Sequence, residues 1–150
     1  MRILIQRVVE AGVSIAGKQV SSIGKGYLLL VGFTQGDDRQ IAEKMAQKVA
    51  KLRLFEDENG KTNLNIDAVN GQVLCVSQFT LYADCSEGNR PSFVKAMAAT
   101  EASALYEYFF LYLKGLFPAL QGGVFQTDMK VSLINDGPFT IMLDSKELFR

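Results

Sequence analysis

A single-domain α+β fold is what this sequence predicts: a mostly antiparallel or barrel-like sheet carrying two main helices, a mixed α/β arrangement. Three observations point there. The 150 residues match one ordinary domain, long enough to bury a core without disulfides. No repeat, low-complexity tract or Pro/Gly/Ser-rich linker divides the chain, so residues 1–150 read as one unit. Two amphipathic helical stretches interrupt groups of strand-like runs unevenly, which suits a mixed sheet better than a doubly wound one.

The elements follow in order. Arg2 to Ile15 is rich in Ile and Val and alternates imperfectly, the pattern of a strand, with a bend expected at Gly12. Ala16 to Gln19 reads as a turn into a short strand, Val20 to Ile23. GKG then leads into YLLLVGF, an apolar run expected to be a buried strand ending near Gly32. DDRQIAEKMAQKVAKLRLF is the clearest helix: Asp37 or Asp38 can cap it, and Ile41, Met45, Val49 and Leu52 recur at helical spacing. After the polar turn EDENGKTN, the segment QVLCVSQFTLYAD reads as a strand. A loop, Cys85 to Phe93, precedes a second helix from about Thr100 to Lys114. Its core side is Ala102, Leu105, Phe109, Leu113 and Leu116, and Gly115 supplies the stop. The remainder, GGVFQTDMKVSLINDGPFTIMLD, reads as two or three strands.

Composition narrows the function. No apolar run nears the roughly 18 residues of a membrane span. The opening MRILIQRVVEAGVSI lacks an h-region and cleavage site, so it reads as a first strand and the cytoplasm is the expected compartment. Cys75, inside QVLCV, reads as core and Cys85 as exposed; neither has metal or CxxC spacing, and no bridge is expected. Histidine is absent, which removes Ser-His-Asp and Cys-His schemes and most zinc sites. GxGxxG and P-loop patterns are missing, so no cofactor is implied, and no metal. Sixteen basic residues balance sixteen acidic ones, so a nucleic-acid partner would be held locally, at one end or loop. Lys44, Lys48 and Lys51 line the outer side of the first helix. Such a stripe is ordinarily a solvated face; the alternative is a local phosphate contact.

Two segments could carry chemistry. In SQFTL, Ser77 to Leu81, polar groups follow directly on an apolar strand, where a sheet meets its loops. As a strand it would set Gln78 and Thr80 on one face and Ser77 and Phe79 on the other. The plain alternative is a strand leaving the core with ordinary edge polarity. NDGPFT, Asn135 to Thr140, lies between two strand-like runs. Asp136-Gly137 alone would make a hairpin turn, yet Pro138 falls where the returning strand needs an N–H. An X-Pro bond can be cis and swing the flanking carbonyl and amide away from sheet pairing; the alternative is an edge turn with trans proline.

Together, SQFTL and NDGPFT resemble the paired signature motifs of the D-aminoacyl-tRNA deacylases, in the same order and spacing. MRILIQRV, LRLFEDENGKTNLN, VSQFTLYAD, RPSF and DMKVSLINDGPFTIMLDS extend the resemblance over nearly the whole chain. It implies hydrolysis of the ester of D-aminoacyl-tRNA by a homodimer with its site at the subunit interface. By that analogy Gly137-Pro138 is cis, reaches into the partner's pocket and excludes L side chains with main-chain carbonyls, while Arg7 fixes its orientation. Glycyl-tRNA, being achiral at the amino acid, would also be cut. Ser77, Gln78, Phe79 and Thr80 match the other half of the site. Main-chain N–H groups around Phe79 and Thr80 would stabilise the oxyanion. Thr80 as nucleophile would lack an activating histidine; water attack assisted by the ribose 2′-hydroxyl of the tRNA is the favoured alternative. The sequence departs from the family pattern at Gln126 and Thr127, where Gly and Ala are usual, and in a less basic CSEGNRPSF loop. Two other readings stand beside this one: a non-catalytic nucleic-acid accessory protein, as family members in eukaryotes have been linked to DNA, and a thiol enzyme using Cys85.

Overall fold

The computed structural model describes all 150 residues, Met1–Arg150. Its organising element is β1 (Arg2–Ile15), a strand long enough to be shared by three neighbours. Along one edge its first half pairs antiparallel with β3 (Gly26–Gly32) and its second half with β2 (Lys18–Ile23). Register shifts at Val8/Glu10 and Val13/Ser14 flank Gly12, so the expected bend is distributed on either side of that residue.

From β3 the sheet continues by parallel pairing to β6 (Gln72–Ser77) and to the short β7 (Gln121–Gly122). Parallel neighbours need crossovers, and these are α1 (Arg39–Lys51), followed by the small hairpin β4 (Phe55–Glu56) and β5 (Thr62–Leu64), and α2 (Ala99–Leu116). Both crossovers step the same way along the sheet, so a common right-handedness sets both helices on one face. There Ala42, Met45, Ala46 and Val49 of α1 and Leu105, Phe109 and Leu113 of α2 pack on Ile3, Ile5, Leu29, Val31 and Cys75. Truncating fully buried Leu113 to Ala would cost about 2–5 kcal/mol. The opposite face gathers Val8, Val13, Leu28, Leu74 and Val76, so β3 and β6 are buried on both sides, as their unbroken apolar runs foretold.

Asp38 caps α1, its carboxylate accepting from Ile41 N–H at 2.8 Å, while Asp37 takes the Met1 ammonium at 2.7 Å. Ile41 and Leu52 are only partly buried, because the stripe centres on Met45 and Val49. The second helix runs one residue past Gly115, and Leu116 is exposed: nothing packs over Gly115, so the glycine neither stops the helix nor starts a contact.

Two sequence expectations fail at the motifs. The strand through QVLCVSQFTLYAD ends at Ser77; Phe79–Tyr82 is a 3₁₀ turn. The alternation F-T-L-Y imitates a strand, yet Gly32 lets the turn fold against β3: a Cβ there would lie 2.8 Å from the Gln78 carbonyl. Nor is NDGPFT a hairpin. It lies within one strand, β8 (Lys130–Asp144), and both of its flanks pair with β1 in the same sense. Thr140 pairs with Gln6 and Asn135 with Val8, so four residues, Asp136 to Phe139, stand opposite Arg7 alone. A short helix, α3 (Ser145–Leu148), follows.

Candidate active site

The end of β6 opens on a cavity of about 630 Å³. It is mainly apolar, walled by Val31 and Val76 of the sheet, Phe33 just past β3, Met97 and Ala102 at the start of α2, and Phe125 and Met129 ahead of β8. Ser77, Gln78 and Phe79 of SQFTL line it, with Gln126, Thr127 and Asp128 on another side. Thr80, next in the chain, does not line it: its hydroxyl accepts from the Gln78 carboxamide, and no carboxylate or amine bonds to it.

The turn leaves backbone donors unspent. Gln78 N–H is used on the Val31 carbonyl at 2.7 Å, Leu81 N–H on Gln78 and Ala83 N–H on Thr80. The N–H groups of Phe79 and Thr80, first in the turn, have no acceptor in the chain, as expected at the start of any helical turn. Phe79 is 55% exposed and meets Phe93 edge to face at 5.1 Å. Phe93 belongs to the loop after Asp84, which is pinned by paired hydrogen bonds between Asp84 and Ser92 and by Lys95 on the Asp84 carboxylate at 2.7 Å. Lys95, helped by Ser86, holds the Asp84 carboxyl well below the usual range.

The thiols do not contribute. Burial pushes Cys75 up to about 12, despite the Tyr106 hydroxyl donating to it, so it stays a thiol. Cys85 is exposed and does not line the cavity. Lys44, Lys48 and Lys51 lie on the outer face of α1, away from the cavity walls and without ion-pair partners; Lys48 and Lys51 sit in the last turn, where they complement the helix dipole.

The second motif is braced from beneath. Arg7 is buried and has no carboxylate partner; its Nε donates to the Asp136 carbonyl at 2.9 Å and a terminal nitrogen to the Leu54 carbonyl at 2.8 Å. The guanidinium lies 4.5 Å from the Phe139 ring centroid. Below it Tyr27 stacks on Phe55 at 5.2 Å, and burial raises the Tyr27 hydroxyl, which has no partner. Asn135 does the work of the missing ladder: its Oδ1 accepts Phe139 N–H at 2.6 Å, and its Nδ2 donates to the Phe139 carbonyl at 3.2 Å and Thr140 Oγ1 at 2.9 Å. Nothing in the sequence alone singled out Asn135 for this, although an Asn ahead of an interrupted strand is a recurrent local acceptor. Gly137 and Pro138 themselves are exposed, joined by a cis peptide bond. Gly137 has φ of +147°, and a Cβ there would meet Phe139 N at 2.9 Å.

The two motifs do not meet within one chain. Arg7 is level with Tyr27 and Val73, whereas Ser77 is level with Val31 and Ile3. Four residues along the strands and three strands across separate them by on the order of 20 Å.

Comparison with known proteins places this chain among close relatives. A profile of D-Tyr-tRNA(Tyr) deacylases matches residues 4–144. A D-aminoacyl-tRNA deacylase of Lactobacillus acidophilus is 56% identical over 144 residues, 96% of this chain and 99% of that one. One from Thermomicrobium roseum is 55% identical over 148 residues, 99% of this chain and 96% of that one. Among solved structures, a c-Myc DNA unwinding element binding protein superposes with a TM-score of 0.91 at 37% identity, over 96% of this chain and 98% of that one. A probable eukaryotic D-amino acid tRNA deacylase, at 15% identity and a TM-score of 0.84 over 95% and 97%, shares the fold.

Proposed function

Starting from a chain that belongs to the D-Tyr-tRNA(Tyr) deacylase family, we propose that it hydrolyses the ester of D-aminoacyl-tRNA, releasing free amino acid and tRNA. The observation that carries the chemistry is the pair of unspent N–H groups at Phe79 and Thr80 beside a largely apolar cavity. Aimed at the ester carbonyl oxygen, they would stabilise the negative charge of the tetrahedral intermediate; the loss of one such donor typically costs a hundredfold or more in rate. Water adds to the carbonyl carbon and the ribose oxygen leaves with a proton. The neighbouring ribose 2′-hydroxyl orients that water, since no histidine exists and nothing beside Thr80 can take its proton. Ser77 and Gln78 hold the walls around the reacting ester.

Chirality is set by Gly137-Pro138. A rigid main-chain wall rejects one hand by collision, which side-chain pockets do poorly. The loop protrudes, stands far from the cavity of its own chain, and is fixed by Arg7 and Asn135, so a second copy delivers it. The long edge strand β8, with exposed Ile134 and Met142, gives that homodimer an apolar face to cover. Glycyl-tRNA passes the wall and is cut as well. Lys44, Lys48 and Lys51 offer the tRNA backbone a local cationic strip on an otherwise neutral molecule. An enzyme acting on charged tRNA works where translation does, in the cytoplasm; no helix here is long and apolar enough to cross a membrane.

The test is hydrolysis of D-tyrosyl-tRNA and L-tyrosyl-tRNA by the purified protein and by Thr80→Ala. The expected result is cleavage of the D-ester only, with the variant within about tenfold of the parent. Loss of a thousandfold or more on removing the hydroxyl would restore Thr80 as the nucleophile. Cleavage of neither ester would overturn the reading. The solved relative named for DNA binding favours a second one, a non-catalytic nucleic-acid accessory. Tight, steeply salt-dependent binding of duplex DNA by a protein inert on both esters would carry it.

A further inference from the structure

The lip of the cavity holds a residue that the hydrolytic chemistry leaves idle. Gln126 has φ of +57°, the left-handed region where glycine is at ease and a long side chain is strained. Its neighbours fix the backbone. Phe125 packs on Tyr106 with ring centroids 5.7 Å apart, and the Thr127 hydroxyl donates back to the Phe125 carbonyl at 3.4 Å. The Asp128 carboxylate is taken by Lys130 at 3.0 Å, and Gln78 is engaged with Thr80. Of the polar side chains around the cavity, Ser77 beside the reacting ester and Gln126 at the lip keep all their hydrogen-bonding capacity.

A carboxamide presents a donor and an acceptor side by side. The cavity it lines is mainly apolar and carries aromatic rings that a flat group can pack on: Phe79 and Phe93, edge to face, and Phe125, with Met97 and Met129 also on its walls. Every aminoacyl-tRNA brings one flat group next to its ester, the terminal adenine. Gln pairs bidentately with the N6 donor and N7 acceptor of adenine, whereas guanine shows two acceptors on that edge and cannot satisfy both atoms. We infer that Gln126 reads the terminal adenine of the substrate and sets the specificity of this enzyme for a 3′ adenosine. The inference rests on the deacylase reading, and its test separates the two.

The substrates are D-tyrosyl esters of a short acceptor hairpin ending in adenosine, in 7-deazaadenosine, which lacks N7, or in purine riboside, which lacks the N6 amine. KM and kcat are measured for the parent and for Gln126→Gly, which suits the left-handed backbone and folds without strain; its melting temperature checks this. The parent should show KM about tenfold higher on either analogue, the order of one bidentate base contact, with kcat held. Gln126→Gly should treat all three alike, at the KM the parent shows on the analogues. A parent indifferent to the three ends would sink the role of Gln126 and leave the deacylase reading standing, as would a Gly variant that keeps the preference for adenosine. No cleavage of any D-ester would remove both.

Discussion

The turn Phe79–Tyr82 and the loop Asp136–Phe139 both interrupt strands, and they do so in opposite ways. The turn leaves two backbone donors free, folds into the space Gly32 vacates and is tied to β3 by Gln78 N–H on the Val31 carbonyl. The loop has its backbone groups taken by side chains: Arg7 on the Asp136 carbonyl, Asn135 on both polar groups of Phe139. Free donors suit a group that must receive developing charge. Spent ones suit a surface that must keep its shape. On the proposed reading one sheet supplies a reactive half and an inert half, in places too far apart to serve one another within a chain.

Substitutions can break this contrast. Gly137→Ala puts a Cβ 2.9 Å from Phe139 N and 3.4 Å from an Arg7 nitrogen at a backbone angle that L side chains rarely adopt. The loop must shift, and a displacement of about 1 Å at such a site costs on the order of a hundredfold in kcat/KM on D-tyrosyl-tRNA. Circular dichroism should show the fold intact. Arg7→Met keeps much of the packing but leaves one buried carbonyl, Leu54, and one part-buried, Asp136, unmet; the expected loss is about 3 kcal/mol in urea unfolding, with chiral selection weakened in the fraction that folds. If that variant unfolded at the parent's urea midpoint, the loop would not depend on its brace.

Smaller effects sharpen the picture. Replacing Lys44, Lys48 and Lys51 together by Ala should raise KM by roughly tenfold at low salt and flatten the salt dependence by up to about three units of slope, with kcat and D/L preference unchanged. An unaltered salt slope would return the stripe to plain solvation. Asp144→Asn touches neither motif. Burial of itself raises the Asp144 carboxyl, but the hydrogen bond from Arg2 at 2.9 Å and the Lys146 N–H bring it below the ordinary value. A depressed folded-state pKa gives stability that is present above about pH 4 and lost as pH falls through the folded value. The variant should therefore lose about 0.5 kcal/mol at neutral pH, fitting for a partly exposed pair, and show a shallower acid limb in its melting temperature.

Much of this was legible in the sequence where the pattern is local. The Ile/Val run of β1, the unbroken YLLLVGF of β3 and the Met45–Val49 stripe of α1 each follow from neighbours in sequence. The two motifs stand out in the sequence as local patterns, but their backbone conformations do not follow from it. F-T-L-Y alternates like a strand, and what curls it is the absent side chain of Gly32, some fifty positions earlier. Asp-Gly-Pro reads as the end of a strand; what carries β8 through it is the length of β1, which goes on pairing past the interruption. The cavity was hidden for the same reason, since Phe33, Met97, Phe125 and Met129 come together only when the chain is folded. Asn135 was overlooked because its partners, Phe139 and Thr140, matter only once the loop is known to be a bulge.

Because β8 resumes pairing with β1 on both sides of the bulge, the loop is anchored like a span between two piers. It cannot swing open on a hinge; releasing it means unzipping β8 from β1, the strand that carries Ile3 and Ile5 into the core. Amide exchange in the flanking residues should thus track global unfolding, with no cheaper local route. On the proposed reading, in which this loop guards the handedness of amino acids, the consequence is a wall that fails by displacement and not by opening. A variant that moves it, as Gly137→Ala does, stays folded and loses rate; one that frees it in part, as Arg7→Met does, loses stability as well.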